Sequence, residues 1–282
     1  MIAIFLRVIT LYFLCGSVIG QTESFIKRIG DVICPASQAN KGAEDDNYKY
    51  RIVGGEEIPI VYAPYQVSLR DNNYHFCGGT IINHNTIVTA AHCIVAAKGD
   101  LSIRAGSNKL KTGGIVVPVL WTIHHPLYNP NNYDYDVAVL KLRGNLTYSR
   151  TIQPIRLAKH TTKWAVNTAA KASGWGVQHE DHPYSKMSPV LQVVVLFILD
   201  IRVCQSVYGS QMITSRMLCV GRNGKDSCKG DSGGPLVINE VLAGIISFGA
   251  GCARHGVPGV YTNIAAVRDF IEKAAKANVY FT

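Results

Sequence analysis

Three short segments carry side chains that could do chemistry together. Thr89-Ala90-Ala91-His92-Cys93 offers an imidazole, Tyr135-Asp136-Val137-Ala138-Val139-Leu140 a carboxylate, and Gly230-Asp231-Ser232-Gly233-Gly234-Pro235 a hydroxyl set among glycines. Singly, the first two have plain structural readings: a histidine beside a cysteine, and a strand cap before an apolar run. The third is more specific. Two glycines after a serine let another backbone approach, and a glycine before Asp-Ser suits a tight turn with outward N–H groups. Jointly the three meet the requirements of acyl transfer. A serine hydroxyl is a poor nucleophile until a base takes its proton, and histidine titrates in the range to do so. A carboxylate then holds the imidazole tautomer and stabilises the imidazolium. The N–H groups of Gly230 and Ser232 would receive the oxyanion, each such donor being worth ~3 kcal/mol.

Positioning these groups needs a scaffold. The 282 residues, 48% hydrophobic and 17% charged, suffice for one large core or two small ones. Short segments rich in Val, Ile, Thr and Tyr, broken by Gly, Pro, Asn and Asp, predict a mostly β protein. The run Val190–Leu199 is too short and too β-branched to span a membrane and reads as a buried strand. Near the end, Val267, Phe270, Ile271 and Ala274 share one face of a predicted helix over 264–274.

The front of the chain differs. Residues 3–14 are apolar apart from Arg7 and Thr10 and lead to Val18 and Gly20, predicting a secretory signal over 1–20. A membrane anchor is the other reading, but a span needs ~20 apolar residues. Residues 21–51 are polar and aperiodic, with an acidic cluster at Glu44, Asp45 and Asp46, as in an exposed pro-segment. The texture changes at Arg51, so the folded domain is placed at 52–282. Net charge is +9, and residues 52–282 hold 22 basic against 14 acidic side chains. The basic residues are scattered without interleaved aromatics, which argues against nucleic-acid binding and leaves room for acidic glycans.

Secretion implies an oxidising compartment. Cys15 leaves with the signal and Cys34 lies in the pro-segment; the other six cysteines allow fifteen pairings. No His/Cys spacing suggests zinc, and no cofactor is implied. Asn145-Leu146-Thr147 is a glycosylation acceptor.

Taken in order, Ile52-Val53-Gly54-Gly55, the His92 and Asp136 motifs, Ser173-Gly174-Trp175-Gly176, the Ser232 motif and Pro258-Gly259-Val260-Tyr261 resemble the chymotrypsin/trypsin family of serine endopeptidases. The resemblance covers essentially all of residues 52–282. It implies an all-β fold of two six-stranded antiparallel β-barrels with a C-terminal α-helix. His92, Asp136 and Ser232 would form the triad in the cleft between the barrels. It also implies disulfides Cys77–Cys93, Cys204–Cys219 and Cys228–Cys252. Cutting after Arg51 would free the Ile52 amine to pair with Asp231 and order the oxyanion loop. Since Arg51 is itself a trypsin-type cleavage residue, self-activation is allowed. Cys34 would then have no partner in the domain, so the pro-segment would dissociate or form a disulfide between two chains.

By the same resemblance Asp226, six residues before Ser232, is the floor of a pocket for Arg or Lys. Ser227 could add a hydrogen bond, Gly249 and Gly259 keep the walls open, and Ser247 starts the strand that pairs with substrate. This sequence departs from the family at several points. Phe248 stands where Trp is usual. Lys229 replaces an uncharged side chain at the cleft mouth and is expected to favour acidic residues near the scissile bond. Pro258 resembles members without sodium regulation. Ser107 replaces an acidic calcium ligand, with no second carboxylate before Trp121, so no metal site is expected.

The expectation is a secreted, monomeric enzyme acting on protein or peptide substrates and met by protein protease inhibitors, with no membrane association after signal removal. A catalytically dead binding homologue is the first alternative; such proteins usually lose a triad member, the activation site or the oxyanion glycine, and this chain keeps all of them. A narrow cascade protease is the second, and the short, cysteine-poor pro-segment argues against it.

Overall fold

The computed structural model describes residues 54–177 and 186–277. The expectations for the signal, the pro-segment, Cys15, Cys34, Arg51, Ile52 and Val53 fall outside these residues.

A two-residue strand β1 (Glu56–Glu57) precedes the first barrel, formed by β2 (Gln66–Asp71), β3 (Tyr74–Asn83), β4 (Thr86–Thr89), β5 (Leu101–Ala105), β6 (Ile115–His124) and β7 (Ala138–Leu142). They close in the order β2-β3-β4-β7-β6-β5, every pair antiparallel. Helix α1 (Ala91–Ala96) lies between β4 and β5. The second half contains β8 (Arg156–Leu157), β9 (Ala169–Gly174), β10 (Gln192–Ile198), helix α2 (Ile201–Tyr208), β11 (Met217–Gly221), β12 (Pro235–Ile238), β13 (Val241–Phe248), β14 (Gly259–Asn263) and helix α3 (Ile264–Lys276). Six of these strands run β10-β11-β14-β13-β12-β9, and the β9–β10 pairing closes them into a second antiparallel barrel. β1 pairs with β10 and β8 with β13 outside that ring.

Local chemistry accounts for the elements. Asn72 and Asn73 turn β2 into β3, and Asn239 and Glu240 turn β12 into β13, all four with positive φ. Two consecutive residues at positive φ match the right-handed twist of a hairpin. Along β10, Gln192, Val194, Leu196 and Ile198 are buried while the residues between them are half-exposed. The run read as a buried strand is therefore buried on one face, as a barrel wall requires. Val67, Leu69, Ile81, Ile87, Val139 and Leu140 fill one core; Ala172, Val194, Leu196, Leu236 and Tyr261 fill the other. Asn263 caps α3 by accepting the Ala265 N–H. Val267, Ile271 and Ala274 then bury the helix against the first core, together with Leu242 and Ile245.

The three disulfides are Cys77–Cys93, Cys204–Cys219 and Cys228–Cys252, as the resemblance implied. Among the described residues no helix is long and apolar enough to cross a membrane.

Candidate active site

Asp136 is fully buried just before β7, and its carboxylate meets His92 twice. Oδ1 accepts the His92 backbone N–H at 2.9 Å, and Oδ2 lies 2.7 Å from His92 Nδ1. Helix α1 has no side-chain cap of its own, so Asp136 satisfies one of its orphan amides while orienting the ring. Ser247 Oγ donates to the same Oδ2 at 2.6 Å, and Thr262 Oγ1 donates to the Asp136 carbonyl at 2.8 Å. A buried carboxylate needs such donors, and here both barrels supply them.

Ser232 stands on the turn before β12. Its carbonyl accepts the Gly78 N–H at 2.7 Å, Gly233 N–H donates to Ile246 O, and Gly234 N–H to Asp231 O. A Cβ on Gly233 would come within 2.1 Å of Thr89 Oγ1, and its φ is +78°, so only glycine fits where the barrels approach. Gly230, with φ +95°, ends the preceding loop. Among the described residues neither Gly230 N–H nor Ser232 N–H donates to a protein acceptor. Ser232 and His92 line one cleft of about 240 Å³. No hydrogen bond joins their side chains among the described residues; such bonds are often long without substrate.

Asp231 occupies a slot between Gly174 and Gly176, where a Cβ would lie 2.1 and 2.3 Å from its carboxylate oxygens. It accepts N–H groups from Gly176 at 2.7 Å and Cys228 at 3.0 Å. Complete burial pushes its carboxyl up to about 7. Next to it, burial pulls His75 down to about 4, keeping the ring neutral at ordinary pH. Its Nε2 lies 3.1 Å from Gly230 O and Nδ1 2.8 Å from Ser68 Oγ. A carbonyl only accepts, so Nε2 carries the proton and Nδ1 accepts from the serine.

Asp226 lines the cleft and is 5% exposed. It accepts N–H groups from Ser227 at 2.8 Å and Ala253 at 3.1 Å. Ser227 Oγ lies 3.0 Å from the Tyr261 hydroxyl, so its bonding is shared. Gly259 backs the carboxylate, where a Cβ would stand 3.4 Å from Oδ1 and 3.0 Å from the Tyr261 ring. At Gly249 a Cβ would meet no protein atom nearer than 3.5 Å, so packing does not demand that glycine and the space beside it opens on the cleft. Ser247, Phe248 and Gly249 follow one another at the end of β13, with Phe248 against Tyr133 and Tyr208. Lys229 is exposed on the cleft wall, and the Asn145 acceptor is exposed on a loop.

The sequence reading missed Tyr133, His75 and Thr262. Tyr133 holds φ +57° and sets its ring edge-on to His92 at 5.6 Å. None of the three lies in a recognisable motif.

The trypsin family profile matches residues 52–271. The chain belongs to the trypsin family. Among its relatives, hypodermin-B of Hypoderma lineatum is 41% identical over 256 residues, covering 90% of this chain and 98% of the relative. Trypsin delta of Drosophila melanogaster is 43% identical over 225 residues, 78% and 87% of the two chains. Trypsin 5G1 of Aedes aegypti is 38% identical over 229 residues, 80% and 85%. As a member of the trypsin family, this chain is a serine protease with protein substrates.

Proposed function

We propose that this trypsin-family protein is secreted as a zymogen and, once cut after Arg51, hydrolyses peptide bonds on the carboxyl side of Arg or Lys. The observation that carries the specificity is Asp226, a buried carboxylate lining a cleft beside Gly249, where a side chain would meet no close protein atom. A cation entering there offsets the cost of burying that charge, which an apolar side chain cannot do.

Ser232 Oγ attacks the scissile carbonyl carbon as His92 Nε2 takes its proton. The N–H groups of Gly230 and Ser232 hold the oxyanion, and Asp136 steadies the imidazolium through Nδ1. His92 then protonates the leaving amine, giving an acyl-enzyme. Water, deprotonated by the same Nε2, attacks the ester and releases the acid and Ser232. The new Ile52 ammonium would pair with Asp231, ionising a carboxyl that burial otherwise keeps protonated, and so order the Gly230 loop. Lys229 favours acidic residues next to the cleaved bond.

The test uses protein processed at Arg51–Ile52 and peptides with Arg, Lys, Phe, Leu or Ala at the cut position. Arg and Lys peptides should be cleaved, with activity abolished in Ser232→Ala and reduced about 10³-fold or more in Asp226→Ser. Cleavage after Phe or Leu in preference would remove the role given to Asp226.

A further inference from the structure

Two arginines on the first barrel play no part in the mechanism. Ser68 and Arg70, two apart on β2, face one side of the sheet. The register sets Arg70 opposite His75 on β3 and Ser68 opposite Arg104 on β5, so all four share that face. Both residues are half-buried, and their guanidinium groups are held by neutral carbonyls. Arg70 Nε and Nη2 donate to Asn73 O at 3.2 and 2.7 Å, and Arg104 Nη1 donates to Gly113 O. Arg104 Nε is buried without an acceptor. Among the described residues neither arginine forms an ion pair. Asp71 follows Arg70 but points the other way along the strand, and its Oδ2 takes the Lys98 N–H. Burial first, and then the positive charge of Arg104, pull Arg70 below its ordinary value. Two fixed forks, mutually repelling and with an unused buried donor, are an arrangement short of an anion.

The place of this pair relative to the reacting bond suggests which anion. The family resemblance implies that the acyl half of a substrate pairs with the Ser247–Gly249 end of β13, which would send the leaving half over β3. That strand touches the nucleophile turn through Gly78 N–H to Ser232 O, and the oxyanion loop through His75 to Gly230 O. Two further strand spacings, ~10 Å, reach β5. Arg70, one spacing from β3, and Arg104, two, are then on the order of 10 and 15 Å from Gly230, and the farther one is roughly four to five extended residues away.

We propose that Arg70 and Arg104 together receive carboxylate side chains of protein substrates about four to five residues beyond the cleaved bond. The inference rests on the proposed function, and its test separates the two. Two peptides share Arg at the cut position and differ in carrying Glu-Glu or Gln-Gln at the fourth and fifth positions after it. Both are compared with a short arginine amide that has a chromogenic leaving group and nothing beyond the bond. The processed enzyme should cut the Glu peptide about five- to tenfold faster in kcat/KM at ~0.05 M salt, with the advantage shrinking at ~0.5 M. Arg70→Gln/Arg104→Gln should bring the ratio below about twofold while the short amide is cut as before. If the double variant loses the short-amide activity through misfolding, Arg70→Gln alone carries the comparison, since Arg70 bonds only to its own hairpin turn. An advantage retained in the variants, or absent from the wild type while the short amide is cut, overturns the proposal. So does charge-dependent binding of a sulfated oligosaccharide to these arginines with both peptides cut equally, which would assign the patch to glycans. Failure to cut the short amide strikes the proposed function instead.

Discussion

Asp231 and His75 show how burial turns single residues into pH-dependent terms. In the uncleaved chain, the Asp231 carboxyl, raised to about 7, keeps a proton that the unfolded chain releases above about 4. Stability therefore falls as pH rises through that window, by up to ~1.4 kcal/mol per pH unit. His75, lowered to about 4, has the opposite sign. The unfolded chain holds its proton up to about 6.5, so stability rises with pH between those values. The two slopes oppose each other in the uncut wild-type chain. Asp231→Asn should remove the falling one, so that urea midpoints measured from about pH 4.5 to 6.5 climb more steeply than in the wild type. Parallel profiles for the two proteins would show that Asp231 does not hold its proton in the fold.

At the scale of elements, the turns decide the site, and their glycines do different work. Gly176 belongs to the loop after β9 that grips Asp231, and a methyl there would stand 2.3 Å from Oδ2. Gly176→Ala should cost about 2–4 kcal/mol in urea unfolding and lower kcat, because the carboxylate and the Gly230 loop must shift together. At Gly249, just after β13, an added methyl would meet no protein atom nearer than 3.5 Å. Gly249→Ala should leave stability within about 0.5 kcal/mol while weakening cleavage after Arg, since its methyl can only crowd the cleft. Equal stability losses in the two variants would contradict this division. Both glycines look alike in the sequence; what differs is what stands opposite each.

Across the whole molecule, polar bonds between the barrels gather around the cleft. Ser247 and Thr262 of the second barrel reach Asp136 of the first, Gly78 of the first reaches Ser232 of the second, and Ser173 Oγ donates to Gln66 Oε1 at 2.7 Å. Farther out, Arg216 and Thr214 bind Asp134, and their hydrogen bonds outweigh its burial to hold its carboxyl below the usual range. Gln66 and Ser173 are both buried. Gln66→Leu should leave the serine without its acceptor and cost about 1–3 kcal/mol by thermal or urea unfolding. A cost below about 0.5 kcal/mol would mean that the barrels hold together without this bond.

The sequence by itself determined the β character, the C-terminal helix and the candidate chemistry-bearing residues. These rest on local signals: short segments rich in Val, Ile, Thr and Tyr between turn residues, helical spacing at Val267, Ile271 and Ala274, and the compact motifs around His92, Asp136 and Ser232. The disulfide pairing and barrel count followed from the family resemblance, since six cysteines alone leave fifteen choices. Only the tertiary structure decided that Tyr133 faces His92, that His75 is a neutral donor to Gly230, and that Thr262 braces Asp136. It alone set Arg70 and Arg104 on one face with no counter-ion among the described residues. The reason is separation along the chain: His75 and Gly230 are 155 residues apart, Thr262 and Asp136 126. A side chain's pairing and protonation depend on which distant backbone the fold brings within 3 Å, and no local pattern records that.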